Sequence, residues 1–211
     1  TNILQKVADS TKNIYIPEGI FYVKNGLILK NKGTKLFGAG KGKTIIVVDN
    51  QGIVVKESDI EIKDLSIIGV YDKFKPPISL DSSNNQNYHN FGYSCTGITM
   101  ASDDGCTKDN LMIQNVSFSM VKNAFNMTFD QVDLTNNKYT KNVRMINCDT
   151  DYIWWHGFAT RYVDGAIVEG CNFNNHWVGM MVDFSAGTKN SIMSGCIGNN
   201  ISYIFKNESK A

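Results

Sequence analysis

The sequence predicts an all-β fold, a right-handed single-stranded parallel β-helix, from three observations. A short phrase recurs, and its copies are VRMINCDT, AIVEGCNF and SIMSGCIG, in which an apolar residue stands three places before a cysteine. Cys148, Cys171 and Cys196 are 23 and 25 residues apart. Apolar residues alternate within each phrase, with one skip at a polar or glycine position, and helical periodicity is missing after Ser10. A fixed period of this length indicates strand-bend-strand units that stack on their neighbours.

Earlier coils follow the same template. IEIKDLSI and LMIQNVSF have Leu65 and Val116 at the position of the cysteines. A second apolar phrase completes each coil, and these phrases begin at Gly97, Ala124, Gly157, Gly179 and Tyr203. Because the repeated cysteines share one inward position, we interpret them as stacked thiols and not as disulfides.

The N-terminal part carries a family resemblance. A short helix is followed by IYIPEGIFYV and then by FGAGKGKTII. This segment resembles the entry coils of the pectate-lyase-like superfamily, as found in bacteriophage tailspikes and capsular polysaccharide depolymerases. The resemblance implies that residues 1–13 form a helix that caps the solenoid. It also implies a capsular or exopolysaccharide ligand, a homotrimer, and a place on the virion tail or otherwise outside the cell.

The predicted organisation is a single β-helix domain over residues 1–211. The capping helix covers 1–13, the first coils 14–69, an inserted loop 70–95 and further coils 96–211. The chain ends soon after a strand, and we expect a fragment of a longer spike protein. Within the insertion, Tyr88 and His89 are candidate substrate-binding residues, since long loops on rigid scaffolds carry specificity. The alternative is a loop that only packs against the coil or a neighbouring subunit.

Net charge and composition limit the classes of molecule that this protein is expected to bind. A net charge of +1 argues against a nucleic-acid binder that neutralises phosphates. We find no apolar run that would insert into a membrane, no metal-ligand cysteine spacing and no motif for a cofactor. The glycine-rich FGAGKGKT lacks the spacing of a phosphate-binding loop and is followed by a strand, so we expect a tight turn there.

Adjacent aspartates, Asp103 and Asp104, occupy a loop. The pair resembles the paired aspartates of polygalacturonases, but the Gly-His-Gly and Arg-Ile-Lys motifs of that family are missing. The two residues are therefore either catalytic or part of a solvated turn.

Superposing the coils predicts a second group of candidates. With Gly157 placed over Gly179, the predicted lateral wall contains Trp154 beside His176, Trp155 beside Trp177, Arg161 beside Asp183, and also His156 and Asn126. Tryptophan faces cover the apolar face of a pyranose, Arg161 suits a sugar carboxylate, and Asp183 or a histidine suits proton transfer. The alternatives are that Trp154 or Trp155 faces the core and that Arg161 and Asp183 form an ordinary ion pair.

We therefore expect a protein that binds and cleaves a bacterial surface polysaccharide. Hydrolysis needs two carboxyl groups, and the candidates are Asp103, Asp104, Asp130, Glu169 and Asp183. Elimination needs a base and a cation, for which His156 or His176 would act with Arg161. A non-catalytic glycan-binding adhesin and a structural trimeric spike module remain the alternatives.

Overall fold

The computed structural model describes residues 3–70, 95–101, 106–128, 139–185 and 187–207. The described elements are α1 (Ile3–Ser10), β1 (Asn13–Ile16), β2 (Gly19–Leu29), β3 (Lys35–Gly38), β4 (Thr44–Val55), β5 (Ile60–Gly69), β6 (Thr96–Ala101), β7 (Leu111–Val121), β8 (Asn123–Thr128), β9 (Thr140–Ile146), β10 (Asp149–Ile153), β11 (Phe158–Arg161), β12 (Val163–Glu169), β13 (Asn172–Ser185), β14 (Ile192–Ser194) and β15 (Ile197–Asn207). In these ranges no helix has the length and apolarity to cross a lipid bilayer.

Parallel pairing organises the described strands into seven stacked coils with three faces. Coils 1 to 7 begin at β1, β3, β5, β7, β9, β12 and β14. Face I consists of β1, β3, 60–63, 111–114, β9, β12 and β14. Face II consists of 19–23, 44–48, 65–69, 116–121, β10, 172–176 and 197–201. Face III consists of 25–29, 51–55, β6, β8, β11, 180–185 and 203–207. The predicted right-handed parallel β-helix is confirmed.

The corner between faces I and II explains the skip in the sequence phrases. Asp64, Asn115, Asn147, Gly170 and Gly195 occupy this corner in successive coils with φ between 52° and 61°. Asn, Asp and Gly tolerate this left-handed backbone better than other residues. The predicted bend at a polar or glycine position is therefore confirmed.

The lumen is filled by columns of equivalent side chains. Leu65, Val116, Cys148 and Cys171 are fully buried in one such column, and the Cys148 amide donates to Cys171 Sγ at 3.4 Å. Cys196 continues the column in coil 7, and all five cysteines are free thiols. The interpretation of a thiol stack without disulfides is confirmed.

Helix α1 lies at the first coil. Its Gln5 side chain donates to the carbonyl of Ile28 at 3.0 Å and accepts from the amide of Ile28 at 2.8 Å. Asn31 returns a hydrogen bond to the carbonyl of Ala8, which is buried. A terminal strand presents unpaired backbone groups at its edge. Gln5 satisfies both groups of one edge residue, so the helix caps coil 1 as expected. The predicted insertion, by contrast, lies almost wholly outside the described residues.

A column of small residues marks the corner where face III begins. The register places Gly52 next to Gly97, and Gly97 next to Ala124. A Cβ atom at Gly52 would collide with the carbonyl oxygen of Gly97, and one at Gly97 would lie 2.8 Å from the carbonyl oxygen of Ala124. Because backbone on the adjacent coil cannot move away independently, neither position has room for a larger side chain.

We predict that Gly52→Val lowers the free energy of unfolding by about 1–3 kcal/mol, since its side chain would force neighbouring coils apart. Urea denaturation followed by circular dichroism measures the loss. Gly33→Asn is the matched control, because a Cβ at Gly33 meets nothing within 4 Å and asparagine tolerates its φ of 79°. Equal denaturation midpoints for the two variants would contradict the close contact at Gly52.

Candidate functional site

The outer surface of face II is polar in coils 4 to 6, and in coil 7 it presents Asn199 beside the exposed Ile197. Its register forms two outward columns, Ser117–Asp149–Asn172 and Ser119–Asp151–Asn174–Asn199. Alternate residues of a strand point to opposite sides. The intervening Phe118, Thr150 and Phe173 are accordingly buried in the lumen. The sequence therefore alternates core and polar surface within each strand of this face.

Two carboxylates stand on the same side of β10. Asp149 accepts hydrogen bonds from Lys41 Nζ at 2.6 Å and from Asn172 Nδ2 at 2.8 Å. Asp151 accepts one from Asn175 Nδ2 at 2.8 Å. Two residues along a strand span about 6.6 Å, so the Cα atoms of Asp149 and Asp151 are roughly this far apart and their side chains project from the same face. Asp149 therefore has a cation and a neutral amide as partners, whereas Asp151 has a neutral amide.

A groove of about 330 Å³ passes over these carboxylates. It is lined by Ile68, Ser117, Phe118, Ser119, Asp149, Thr150, Asp151, Asn174, Asn175 and Asn199. The lining extends from coil 3 to coil 7, about 19 Å at 4.8 Å per coil. The side chain of Asp149 is 39% exposed and therefore accessible from the groove. Among the described residues, no group of three His, Cys, Asp or Glu side chains is arranged to hold a metal ion.

Lys41 reaches Asp149 from a distant part of the chain. It lies in the glycine-rich loop between β3 and β4, which turns as expected, with the amide of Gly42 donating to Ser66 Oγ at 2.9 Å. The ammonium group also donates to the carbonyl of Asn147 at 2.7 Å. A loop of coil 2 thereby places a positive charge beside a carboxylate of coil 5.

A second depression, of about 230 Å³, adjoins the groove at the corner between faces II and III. It is lined by Tyr152, Asn175, His176, Trp177, Asn200, Ile201 and Ser202. The rings of Tyr152 and Trp177 lie 5.6 Å apart, centroid to centroid, at an interplanar angle of 37°. We call this depression the aromatic cleft. It shares Asn175 with the groove, so the two form one continuous surface.

Three of the predicted residues lie together on face III. His156 Nε2 is 3.8 Å from Asp183 Oδ2, and their side chains are 13% and 12% exposed. Ala159 lies between Asn126 and Asp183 in the register. The Trp155 ring makes an edge contact with the His156 ring at 5.5 Å. His156 and Asp183 therefore form a largely covered polar pair, separate from the open groove, and Asn126 lies on the same face two coils from Asp183.

The predicted neighbour of Arg161 is wrong. The structure pairs Arg161 with Ser185 and places Ala159 beside Asp183. The amide of Gly157 bonds to the carbonyl of Met180, so Gly157 does not stack on Gly179. The corner after His176 contains one more residue than the corner after Ile153, since Ile153 pairs with His176 but Phe158 pairs with Val182. The prediction used an offset of 22 residues between the two coils, whereas the offset is 23 on face II and 24 on face III.

The predicted wall also fails at Trp154 and His176. Trp154 is 1% exposed and belongs to the hydrophobic core, which was the alternative interpretation. His176 pairs with Ile153, is 3% exposed, and its Nε2 lies 2.8 Å from the buried Thr150 hydroxyl. Both side chains are therefore structural. Trp155 and Trp177 are half-buried, and the register places Trp177 level with Trp154 and not with Trp155.

Several candidates remain predictions because they lie outside the described residues. They are Tyr88 and His89 in the insertion, the pair Asp103 and Asp104, and Asp130.

Sequence reasoning missed Asp149 and Asp151. A signal was available, because Asp-Thr-Asp follows directly after the repeat cysteine Cys148. Strand alternation from an inward Cys148 makes both aspartates outward and Thr150 inward. Applying the inward register one strand further would have found the pair.

Fold and surface together define a parallel β-helix protein with a polar lateral groove. No family model matches the sequence, and no curated protein sequence matches it either. Solved structures do match. The catalytic domain of a GH87 alpha-1,3-glucanase in complex with nigerose has a TM-score of 0.66 at 15% identity, over 96% of this chain and 34% of that one.

A second solved structure, the A-module of the mannuronan C-5 epimerase AlgE4 of Azotobacter vinelandii, has a TM-score of 0.66 at 19% identity, over 93% of this chain and 52% of that one. The present chain thus spans about a third of the glucanase chain and half of the epimerase chain. At these identities the likeness establishes the fold.

The buried His176 makes stability depend on pH. Burial lowers the pKa of its imidazole to about 4, below the value of roughly 6.5 for an exposed histidine. The unfolded chain therefore binds a proton that the folded chain excludes between these pH values. Stability from this group is complete above about pH 6.5 and declines as the pH falls towards 4.

We predict that His176→Gln reduces the loss of stability between pH 6.5 and pH 4 by about 3 kcal/mol relative to the unmodified protein. Glutamine retains a hydrogen-bonding group near Thr150 and has no titratable proton. Urea denaturation at both pH values measures the difference, in which carboxylates common to both proteins cancel. Identical pH dependence in the two proteins would show that the pKa of His176 is the same in the folded and the unfolded chain, which would contradict the prediction.

Proposed function

We propose that this chain binds a polysaccharide along face II and hydrolyses its glycosidic bonds with Asp149 and Asp151. The single observation that carries the proposal is the placement of two outward carboxylates, two residues apart on one strand, in a polar groove. Glycosidases cleave between two carboxyl groups that flank the scissile bond. Hydroxyl and amide groups of Ser119 and Asn174 line the same groove and suit sugar hydroxyls.

The two carboxylates have different partners, which favours different roles. Asp149 lies 2.6 Å from the Lys41 ammonium group and forms an ion pair with it. Asp149 would then accept a proton from the attacking water. Asp151, with a neutral amide partner, would donate its proton to the leaving glycosidic oxygen. Water oxygen bonds to the anomeric carbon as the glycosidic bond breaks, and one new reducing end forms.

The spacing favours inversion of the anomeric configuration. Inverting enzymes separate their carboxyl groups by roughly 6.5–9.5 Å to leave room for water, whereas retaining enzymes separate them by about 5–5.5 Å. The Cα atoms of Asp149 and Asp151 are about 6.6 Å apart, and side chains that project from them in parallel would leave room for a water molecule between the carboxyl groups.

The residues that the sequence suggested for elimination lie away from the groove. Elimination would need a base and a cation at the sugar. His176 lies in the lumen, while His156 and Arg161 belong to face III, away from the groove.

The solved neighbours support a glycan as the ligand. The glucanase domain was solved with nigerose bound, and the epimerase is named for mannuronan. Within this class we propose a bacterial capsular or exopolysaccharide, cleaved by a homotrimeric, tailspike-like protein on a virion or elsewhere outside the cell. On coil 1, Ile20 and Tyr22 of face II are 74% and 57% exposed, which would suit contact between subunits.

We predict that Asp149→Asn and Asp151→Asn each lower the rate of polysaccharide shortening about 100-fold or more, because each removes a proton-transfer group. The protein is incubated with α-1,3-glucan, mannuronan and a panel of capsular polysaccharides, and reducing ends and polymer length are measured. Asp164→Asn is the control, since Asp164 is a carboxylate bonded to an asparagine on face I, outside the groove.

Binding without shortening would contradict hydrolysis and favour the adhesin alternative. Shortening that produces unsaturated uronic acid would instead indicate elimination. Full activity in Asp149→Asn and Asp151→Asn would place the chemistry elsewhere in the chain.

A further inference from the structure

The aromatic cleft contains an unusual backbone position. Met120, Tyr152, Asn175 and Asn200 occupy equivalent places at the corner between faces II and III, with φ between 51° and 54°. Asparagine is suited to this left-handed conformation, whereas bulky residues adopt it rarely and under strain. Coils 6 and 7 therefore have a residue suited to the left-handed conformation at this position, whereas coils 4 and 5 have a residue that is not.

Packing accounts for Met120 but not for Tyr152. Met120 is partly buried and packs against the hydrophobic core, which offsets its backbone strain. Tyr152 is 43% exposed. A strained backbone position with a partly exposed aromatic side chain is a feature that structures retain at ligand sites.

The surroundings of Tyr152 suit a sugar. Its ring is tilted by 37° to the half-buried Trp177, so that the two rings form an open aromatic surface. Amide groups of Asn175 and Asn200 border it, with Asn200 Nδ2 donating to Asn175 Oδ1 at 2.8 Å. Aromatic rings cover the apolar face of a pyranose while neighbouring amides bond to its hydroxyl groups.

Hydrogen bonds connect this surface to the carboxylates. Asn175, which accepts from Asn200, itself donates to Asp151 at 2.8 Å. Tyr152 also follows Asp151 directly in the chain. The aromatic cleft and the two carboxylates are therefore adjacent, and Asn175 contacts both.

We infer that Tyr152 and Trp177 form a stacking subsite for one pyranose ring, next to the sugar that reaches Asp149 and Asp151. The ligand is consequently an oligosaccharide or polymer segment and not a single terminal sugar. The cleavage part of this statement rests on the proposed function, whereas the stacking part is a matter of binding alone.

Tyr152→Asn tests the subsite sharply, because asparagine keeps the left-handed backbone and removes the ring. We expect an unchanged or higher thermal midpoint together with about tenfold weaker glycan binding. Trp177→Ala is expected to weaken binding to a similar extent. Tyr15→Asn is the control, since Tyr15 is an exposed tyrosine on face I, 63% accessible.

Binding is measured in an Asp149→Asn background, so that no probe is consumed, by tryptophan fluorescence and affinity electrophoresis. The probes are oligosaccharides of α-1,3-glucan and mannuronan and the capsular panel. Equal binding by the Tyr152→Asn and Tyr15→Asn proteins would overturn the subsite, and so would failure of the Asp149→Asn protein to bind any probe. Binding that depends on Tyr152, in a protein whose unmodified form cleaves nothing, would leave the subsite standing and refute hydrolysis.

Discussion

Parallel backbone hydrogen bonding between coils is the constraint on which the rest of this structure depends. It fixes a spacing of about 4.8 Å and gives each residue an equivalent neighbour above and below. Side chains therefore act in columns. An apolar column fills the lumen, a left-handed corner repeats as Asp64, Asn115 and Asn147, and amides bond from coil to coil as in Asn200 and Asn175.

The same constraint explains how a chemically useful surface arises without an added loop. In β10, alternation directs Thr150 inward to the buried His176 and directs Asp149 and Asp151 outward to the groove. Asparagines of the next coil bond to both carboxylates and hold them in place. The hydrogen bonds between coils that stabilise the solenoid therefore also fix the positions of the two carboxylates.

Much of the fold followed from the sequence because the repeat cysteines and bend residues mark the register directly. The site followed less well because registers were extended across corners of unequal length. The predicted stacking of Gly157 on Gly179 implies an offset of 22 residues, whereas the offset is 23 on face II and 24 on face III. Trp177 was therefore displaced by one position and Asp183 by two, which removed the predicted contact between Arg161 and Asp183. Two matching glycines could not reveal this difference, since corner length depends on local backbone conformation and not on composition. Cys148, in contrast, marks an inward position reliably, and strand alternation from it predicts that Asp149 and Asp151 point outward.

The Gln5 amide has a consequence beyond stability of the first coil. A parallel β-helix is an ordered stack whose end resembles a growing amyloid sheet, and open edges of this kind recruit other chains. The Gln5 side chain bonds both backbone groups of Ile28, as a neighbouring strand would, but it has no backbone edge of its own to which another strand could add. We therefore expect helix α1 to limit strand addition by other chains at Ile28 as well as to stabilise the first coil.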